Sequence, residues 1–275
     1  DFGGNVTRAM RAIDGTVVLV CAVEGIMPQT ETVMKQALRE RVKPILFINK
    51  VDRMIMELKL NPEQMQQRFA KIIDHFNLLI EQIAEKDFAQ KWKVNVADGS
   101  VIFGSARENW ALSAKFMQKR KISFKDIIEN QNKTDSDAKK SWFWKNAPLF
   151  EVLLDSVITH LPSPVEAQKY RIPKIWKGDL ESDVGKALLN CDDNGPAVMM
   201  IVNMTVDPAA GPVAIGRLFS GKLKDGQHVH IIDTKREGRI QSVNFFMGNQ
   251  REMVGELAAG NIPALLGLPE ARAGQ

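Results

Sequence analysis

The stretch Asn49-Lys50-Val51-Asp52 places an amide, an ammonium and a carboxylate directly after the apolar run "KPILFIN". The Asp52 carboxylate can accept two parallel hydrogen bonds from N1–H and the exocyclic amine of guanine, whereas adenine offers neither donor on that edge. Adenine would leave the carboxylate desolvated and unpaired, at a cost of about 1–3 kcal/mol or more. The pattern therefore predicts guanine binding, and a polar turn with a capping Asp52 is the plainer alternative.

The residues around this carboxylate suit the same base. The Lys50 stem can lie flat against a purine while its ammonium stays in water, and the Asn49 amide can hold the loop together and reach the base. Val51 is then the spacer that turns into the core. A second loop, Ser105-Ala106, follows the next apolar strand, and its backbone N–H groups can donate to guanine O6. A plain turn explains that loop taken alone, but two loops suited to one base favour a guanine site.

Alternating apolar runs and amphipathic patterns indicate the elements that must position these loops. Continuous β-branched and apolar runs are typical of strands covered on both faces of a parallel sheet. The pattern predicts a doubly wound α/β domain, in which ligands bind beyond the carboxyl ends of the strands. The predicted strands are Thr16–Val23, residues 43–49 and Val101–Gly104, and the predicted helices are Asn5–Ile13, Thr30–Arg39 and a long helix capped by Asn61.

The pattern changes twice after the third predicted strand. Residues 115–125 and 139–145 are basic with interspersed aromatic residues. This segment could contact RNA or protein, although a solvated face with packed tryptophans is the favoured interpretation. Residues 165–194 read as a linker with some extended structure. From Gly195 onwards, short apolar runs separated by Gly or Asp-Gly turns predict a small antiparallel β-barrel.

Composition excludes several classes of protein. The 275 residues carry a formal net charge of +4, and no apolar run approaches the roughly 20 residues of a transmembrane helix. We expect no membrane association and no secretory signal. Cys21 and Cys191 have no metal-site spacing, which favours free thiols in a reducing cytoplasm. The histidines form no metal-ligand pattern either; they are His75, His160, His228 and His230.

Several longer stretches resemble one protein family. "DFGGNVTRAM", "DGT", "EGIMPQTE" and "INKVDRM" resemble the translational GTPases of the elongation factor 2 type, archaeal or eukaryotic. "GRLFSGKLKDGQ" and "AAGNIPALLGL" resemble the barrel domain that follows the GTPase domain in that family. The resemblance covers nearly the whole chain. It is weakest at about residues 115–145 and in the expected linker.

The resemblance implies a function and a set of site residues. It implies a monomeric cytoplasmic factor that binds GTP or GDP, works on the ribosome and moves tRNA and mRNA. Residues 1–13 would form the switch II helix, and the barrel would dock on the small ribosomal subunit. The residues that would contact guanine are Asn49, Lys50 and Asp52, with backbone from Ser105 and Ala106 at O6.

The resemblance also implies a division of the chain. Residues 1–164 would be the C-terminal part of a P-loop-type GTPase domain, with a short insert at about 115–145. Residues 165–194 would be the linker, and residues 195–275 a barrel domain that is incomplete at its C-terminus. We therefore expect an internal fragment of a longer protein.

The chain departs from the family pattern where phosphate chemistry is concerned. It contains no G-x-x-x-x-G-K-[ST] phosphate loop, no switch I threonine and no Asp-Thr-Pro-Gly-His stretch. We expect no catalytic residue in this stretch, and Mg²⁺ ligands that lie elsewhere in the intact protein. Two alternatives stay open: a related GTPase of ribosome maturation, or a non-hydrolysing protein that uses the barrel as a ribosome-docking module.

Overall fold

The computed structural model describes residues 3–232, 234, 236–248 and 250–275, so Asp1 and Phe2 of the predicted first helix lie outside the described residues. The chain divides into two compact units. One comprises Gly15–Leu161, and the other joins Asp1–Asp14 to Pro162–Gln275. Among the described residues, no helix combines the length and the apolar character needed to cross a lipid bilayer.

The unit Gly15–Leu161 is built on a four-stranded sheet in the order β1-β2-β3-β4. The strands β1 to β3 are parallel, which confirms the predicted α/β class, and β4 pairs antiparallel with β3. Side chains of β2 are buried on both faces of the sheet, as its continuous apolar sequence indicates. The strands are β1 Gly15–Cys21, β2 Lys43–Asn49, β3 Val101–Ser105 and β4 Trp110–Leu112.

Helices cover this sheet and connect its strands. The predicted cap of the long helix is confirmed, because Asn61 and Gln64 form a reciprocal capping box and Pro62 takes the first helical position. The helices of the chain are α1 Gly3–Ala12, α2 Pro28–Arg39, α3 Val51–Met56, α4 Pro62–Ile83, α5 Lys86–Ala89, α6 Ala114–Arg120, α7 Phe124–Gln131, α8 Ser136–Asn146, α9 Leu149–His160, α10 Pro164–Ile175 and α11 Asp183–Asn190.

The basic and aromatic segment after β4 forms the helices α6, α7 and α8. Ser113, Ser123 and Asp135 cap them, each with its side chain accepting a backbone N–H of the first turn. Helical periodicity is weak in α8 because its aromatic residues are consecutive and must point in different directions. Phe143 is buried whereas Trp144 is 62% exposed, so only part of the segment packs against the body.

The second unit contains an antiparallel β-barrel-like region, as the sequence predicts. A five-stranded sheet in the order β11-β10-β13-β6-β5 and the two-stranded ribbons β12-β7 and β8-β9 make up this region. One apolar core contains residues from β5 to β8, β10 and β13. The strands are β5 Val198–Asp207, β6 Gly211–Ser220, β7 Lys222–Lys224, β8 His228–Ile231, β9 Arg236–Arg239, β10 Ser242–Met247, β11 Gln250–Met253, β12 Glu256–Ala258 and β13 Ala264–Leu266.

The extended structure expected within residues 165–194 is wrong, because α10 and α11 occupy most of that segment. Pro164 does not break α10 but starts it, since the first helical position needs no N–H donor. Ser163 and Glu166 complete a capping box at the same end. Ile172 and Leu188 are buried with Phe219 of β6, so burial stabilises these short helices.

A buried carboxylate between two arginines joins α1, α10 and β6. Asp14 Oδ1 lies 2.8 Å from Arg171 Nη1, and Asp14 Oδ2 lies 2.7 Å from Arg217 Nη2. Burial lowers the pKa of Arg171, and the Asp14 carboxylate opposes that shift. The guanidinium groups also donate to carbonyl groups at the C-terminal end of α1, those of Met10, Arg11, Ala12 and Ile13.

We expect Asp14→Asn to lower the free energy of unfolding by about 3 kcal/mol or more, since it leaves two buried guanidinium groups without a counter-charge. Urea-induced unfolding followed by circular dichroism measures this loss. The matched control is Glu270→Gln, which removes the exposed partner of Arg236 and should cost no more than about 1 kcal/mol. Equal effects of the two substitutions would contradict the role of the buried cluster.

His160 at the end of α9 makes stability depend on pH. Its Nε2 donates to the Asp98 carbonyl at 2.9 Å. Burial lowers the pKa of His160 below 6.5, against the raising effect of Asp98 and with a further lowering by Lys115. A lowered pKa means that the native state binds fewer protons than the unfolded state, so stability is full above about pH 6.5 and falls below it.

The free energy of unfolding of the wild-type chain should therefore decrease between about pH 7 and pH 5, and His160→Gln should flatten this dependence. Parallel urea titrations at several pH values measure it. Lys115→Gln should flatten it less than His160→Gln does, because burial has the larger effect on the histidine. An unchanged slope in His160→Gln would assign the pH dependence to other groups.

Candidate guanine nucleotide site

The first loop of the site turns from strand to helix within one residue. The strand β2 ends at Asn49 and α3 begins at Val51, while Lys50 between them has φ 63° and ψ 34°. This left-handed conformation is costly for a residue with a side chain, and such strain clusters at functional sites. Val51 is fully buried, as predicted, so the loop is anchored in the core beside the residues that it presents.

Asp52 has a buried carboxylate oxygen without a partner. The residue is 7% exposed, and its Oδ1 makes no hydrogen bond among the described residues. Buried polar atoms in native proteins are nearly always paired, so an unpaired carboxylate oxygen indicates a place for an external donor. The carboxylate borders a cavity of about 410 Å³ lined by Asn49, Lys50, Asp52, Arg53, Glu57, Ser105 and Arg107.

Asn49 joins the two loops that the sequence singled out. Its Oδ1 accepts the N–H of Lys50 at 2.8 Å and the N–H of Ala106 at 3.0 Å. The first bond supports the strained turn, and the second holds the Ser105-Ala106 loop beside it. The structure thus brings together all five predicted site residues at the carboxyl ends of β2 and β3.

The second loop depends on a close approach of β3 and β4. A Cβ at Gly104 would lie 2.5 Å from the carbonyl oxygen of Trp110, so only glycine allows this pairing. Ser105 is buried, and its Oγ accepts the N–H of Glu108 at 3.2 Å. The loop is therefore a tight turn closed by its own side chain, with the exposed Ala106 at its tip.

Sequence reasoning did not identify three charged residues that line the cavity. Arg53 Nε lies 2.9 Å from Glu57 Oε2, and the Glu57 carboxylate raises the pKa of Arg53. Opposite charges four residues apart on a predicted helix indicate an ion pair, so the sequence could have identified Arg53 and Glu57. Arg107 directly follows the second loop. These three residues place charges of both signs around the opening of the cavity.

The histidines and cysteines of the described residues do not line this cavity. Among the residues described, no group of three or more His, Cys, Asp or Glu side chains could hold a metal ion. Cys21 and Cys191 are both free thiols, as expected. On β8, His228 lies opposite Arg239 and His230 opposite Glu237 in the ladder with β9, and both histidines are exposed.

Comparison with known proteins places these features in a family. Residues 1–163 match the family described as elongation factor Tu GTP binding domain, and residues 211–275 match elongation factor Tu domain 2. Among curated relatives, the proteins named elongation factor 2 from Cenarchaeum symbiosum and Methanocaldococcus jannaschii are each 59% identical, over 274 and 277 residues. The protein of the same name from Thermococcus kodakarensis is 56% identical over 275 residues.

Each of these alignments covers 100% of this chain and 37% of the relative. The chain therefore spans about 37% of the length of the curated relatives that it matches. The match to the GTP-binding family covers the parallel sheet and both loops of the site, and the second match covers most of the antiparallel strands. The chain belongs to the family of proteins that contain the elongation factor Tu GTP-binding domain.

Proposed function

We propose that the cavity beside Asp52 recognises the guanine base of GTP or GDP. The buried, unpaired Oδ1 of Asp52 carries this proposal, because guanine N1–H and its exocyclic amine are the donors that a carboxylate can accept together. Lys50 supplies an apolar stem for the ring, and Asn49 holds both loops at the base. Ser105 and Ala106 supply the turn beside O6. Because the Ala106 N–H already donates to Asn49, a contact with O6 would share that donor.

We further propose that the intact protein is a GTPase that promotes movement of tRNA and mRNA through the ribosome. The relatives named elongation factor 2 support this proposal, and they favour it over a ribosome-maturation GTPase or a non-hydrolysing docking protein. In this proposal the protein is a cytoplasmic monomer. The partners are ribosomal RNA and ribosomal proteins, and the barrel of residues 195–275 docks on the ribosome.

The phosphate chemistry belongs, in this proposal, to other parts of the intact protein. Residues 1–164 act as the base-recognising part of the GTPase domain, including the insert at 115–145, and residues 165–194 connect it to the barrel. Mg²⁺ would neutralise charge on the phosphates when bound. The proposal assigns its ligands, and the catalytic residue, to segments of the intact protein outside these 275 residues.

Asp52→Asn should shift the preference of the intact protein from guanine towards xanthine, since the amide donates where the carboxylate accepted. Loss of a buried charged hydrogen bond predicts a decrease in GDP affinity of about tenfold or more. Fluorescence titration with labelled GDP and XDP measures both affinities. Unchanged discrimination between the two nucleotides would place the base elsewhere.

Two companion variants separate recognition from loop stability. Asn49→Ala removes the acceptor for Lys50 and Ala106, so it should weaken GDP and XDP binding alike without changing the preference. Asp155→Asn removes an exposed carboxylate that lies 3.7 Å from Lys119 on α6, and both affinities should stay at the wild-type value. A shift towards xanthine in either variant would show that Asp52 is not the source of discrimination.

The 275 residues expressed alone should neither hydrolyse GTP nor bind it tightly, because they recognise the base without a phosphate loop. Release of inorganic phosphate and equilibrium dialysis with GDP measure the two activities. The intact protein prepared in parallel is the positive control. Turnover by the 275 residues at the rate of the intact protein would refute the assignment of phosphate chemistry to other segments.

A further inference from the structure

A second cavity lies next to the proposed base site. Its volume is about 490 Å³, and Arg107 lines this cavity as well as the one beside Asp52. The turn after β3 and the helix α8 form its walls. The lining residues are Arg107, Glu108, Asn109, Lys140, Ser141 and Trp144.

The side chain of Trp144 is an exposed aromatic surface on a firmly anchored backbone. Although Trp144 is 62% exposed, the preceding Phe143 is buried and stacks on Trp110 with ring centroids 5.5 Å apart. Phe150 packs against the indole of Trp144 at 5.4 Å between centroids. The indole is therefore held by a tilted contact with Phe150 while most of its surface remains exposed, as a stacking platform requires.

Backbone hydrogen bonds hold the end of α8 beside β4. The N–H of Ala111 donates to the Ala147 carbonyl at 3.1 Å, and the N–H of Leu149 donates to the Asn109 carbonyl at 3.4 Å. The Asn146 side chain donates to the Trp142 carbonyl at 2.9 Å. These bonds fix the position of the platform relative to the loop that carries Arg107.

The charge of the cavity is positive. Glu108 is neutralised by Lys139 at 3.0 Å, in a pair whose side chains are only 23% and 13% exposed. Arg107 and Lys140 form no ion pair among the described residues, and both are exposed. Two cations beside an open indole match a ligand that carries both a flat ring and negative charge.

We propose that this cavity binds single-stranded RNA, with one base stacked on Trp144 and the adjacent phosphates near Lys140 and Arg107. Sequence-independent binding of single strands combines these two features, aromatic stacking and cationic contact with the backbone. An acidic peptide would satisfy the cations but would leave the indole face exposed. The proposal does not depend on guanine recognition at Asp52.

The intact protein and a fluorescein-labelled short oligoadenylate provide the test, with fluorescence anisotropy as the measurement. Trp144→Ala should weaken binding about tenfold or more, whereas Trp144→Phe should retain most of the affinity. Lys140→Gln should lower the slope of log affinity against log salt by about one. Lys186→Gln is the matched control, because Lys186 is an exposed lysine that lies 3.7 Å from Glu181 and outside the basic and aromatic segment, and it should leave affinity and slope unchanged.

GDP affinity should be the same in Trp144→Ala as in the wild type, so a failure at this cavity is distinguishable from a failure at the base site. The proposal is overturned if Trp144→Ala binds the oligonucleotide as well as the wild type does. If heparin or polyglutamate displaces the oligonucleotide completely from both the wild type and Trp144→Ala, binding depends on charge without base stacking, which also overturns the proposal. Iodide should quench the fluorescence of Trp144, measured as the difference between the wild type and Trp144→Phe in the intact protein. Absence of this quenching would show that another segment covers the indole, and it would overturn the proposal as well.

Discussion

One acceptor atom, Asn49 Oδ1, holds together the two loops at the carboxyl ends of β2 and β3. It pairs with the N–H of Lys50 and with the N–H of Ala106, so it serves two chain segments that are far apart in sequence. The left-handed turn at Lys50 persists because this bond and the buried Val51 stabilise it on either side. The placement of Asp52 in the first turn of α3 follows from that turn, and the shape of the cavity follows from both.

The chain uses buried aspartates in two opposite ways. Asp14 has two arginines and lies at the end of α1, where the partial negative charge of the helix terminus also favours the guanidinium groups. Its oxygens are satisfied within the fold, so its role is structural. Asp52 is equally buried but keeps one oxygen unpaired beside a cavity, and this difference in pairing is the observation on which the proposed guanine site rests.

Much of the architecture could be predicted from the sequence, because the apolar runs, helix caps and turn residues indicate the same elements that burial stabilises in the structure. The apolar runs predicted β1 to β3, Asn61 and Pro62 predicted the start of α4, and Gly-separated short strands predicted the barrel-like region. The helices α10 and α11 within the segment 165–194 were not predicted, because their stability depends on capping by Ser163 and on burial of Ile172 and Leu188 against a distant strand. The exposure of Trp144 could not be predicted from the sequence. Trp142, Phe143 and Trp144 are consecutive, so helical periodicity does not distinguish the buried position from the exposed one.

The sequence by itself determined the fold class, the two loops and the residue types suited to guanine, because these depend on local patterns and on the chemistry of single side chains. Only the tertiary structure decided that Asn49 bonds to Ala106, that Asp52 Oδ1 is left unpaired and that Arg53, Glu57 and Arg107 line the same cavity. The physical reason is that pairing and burial depend on which distant segments meet at the end of the sheet. No local pattern specifies that meeting.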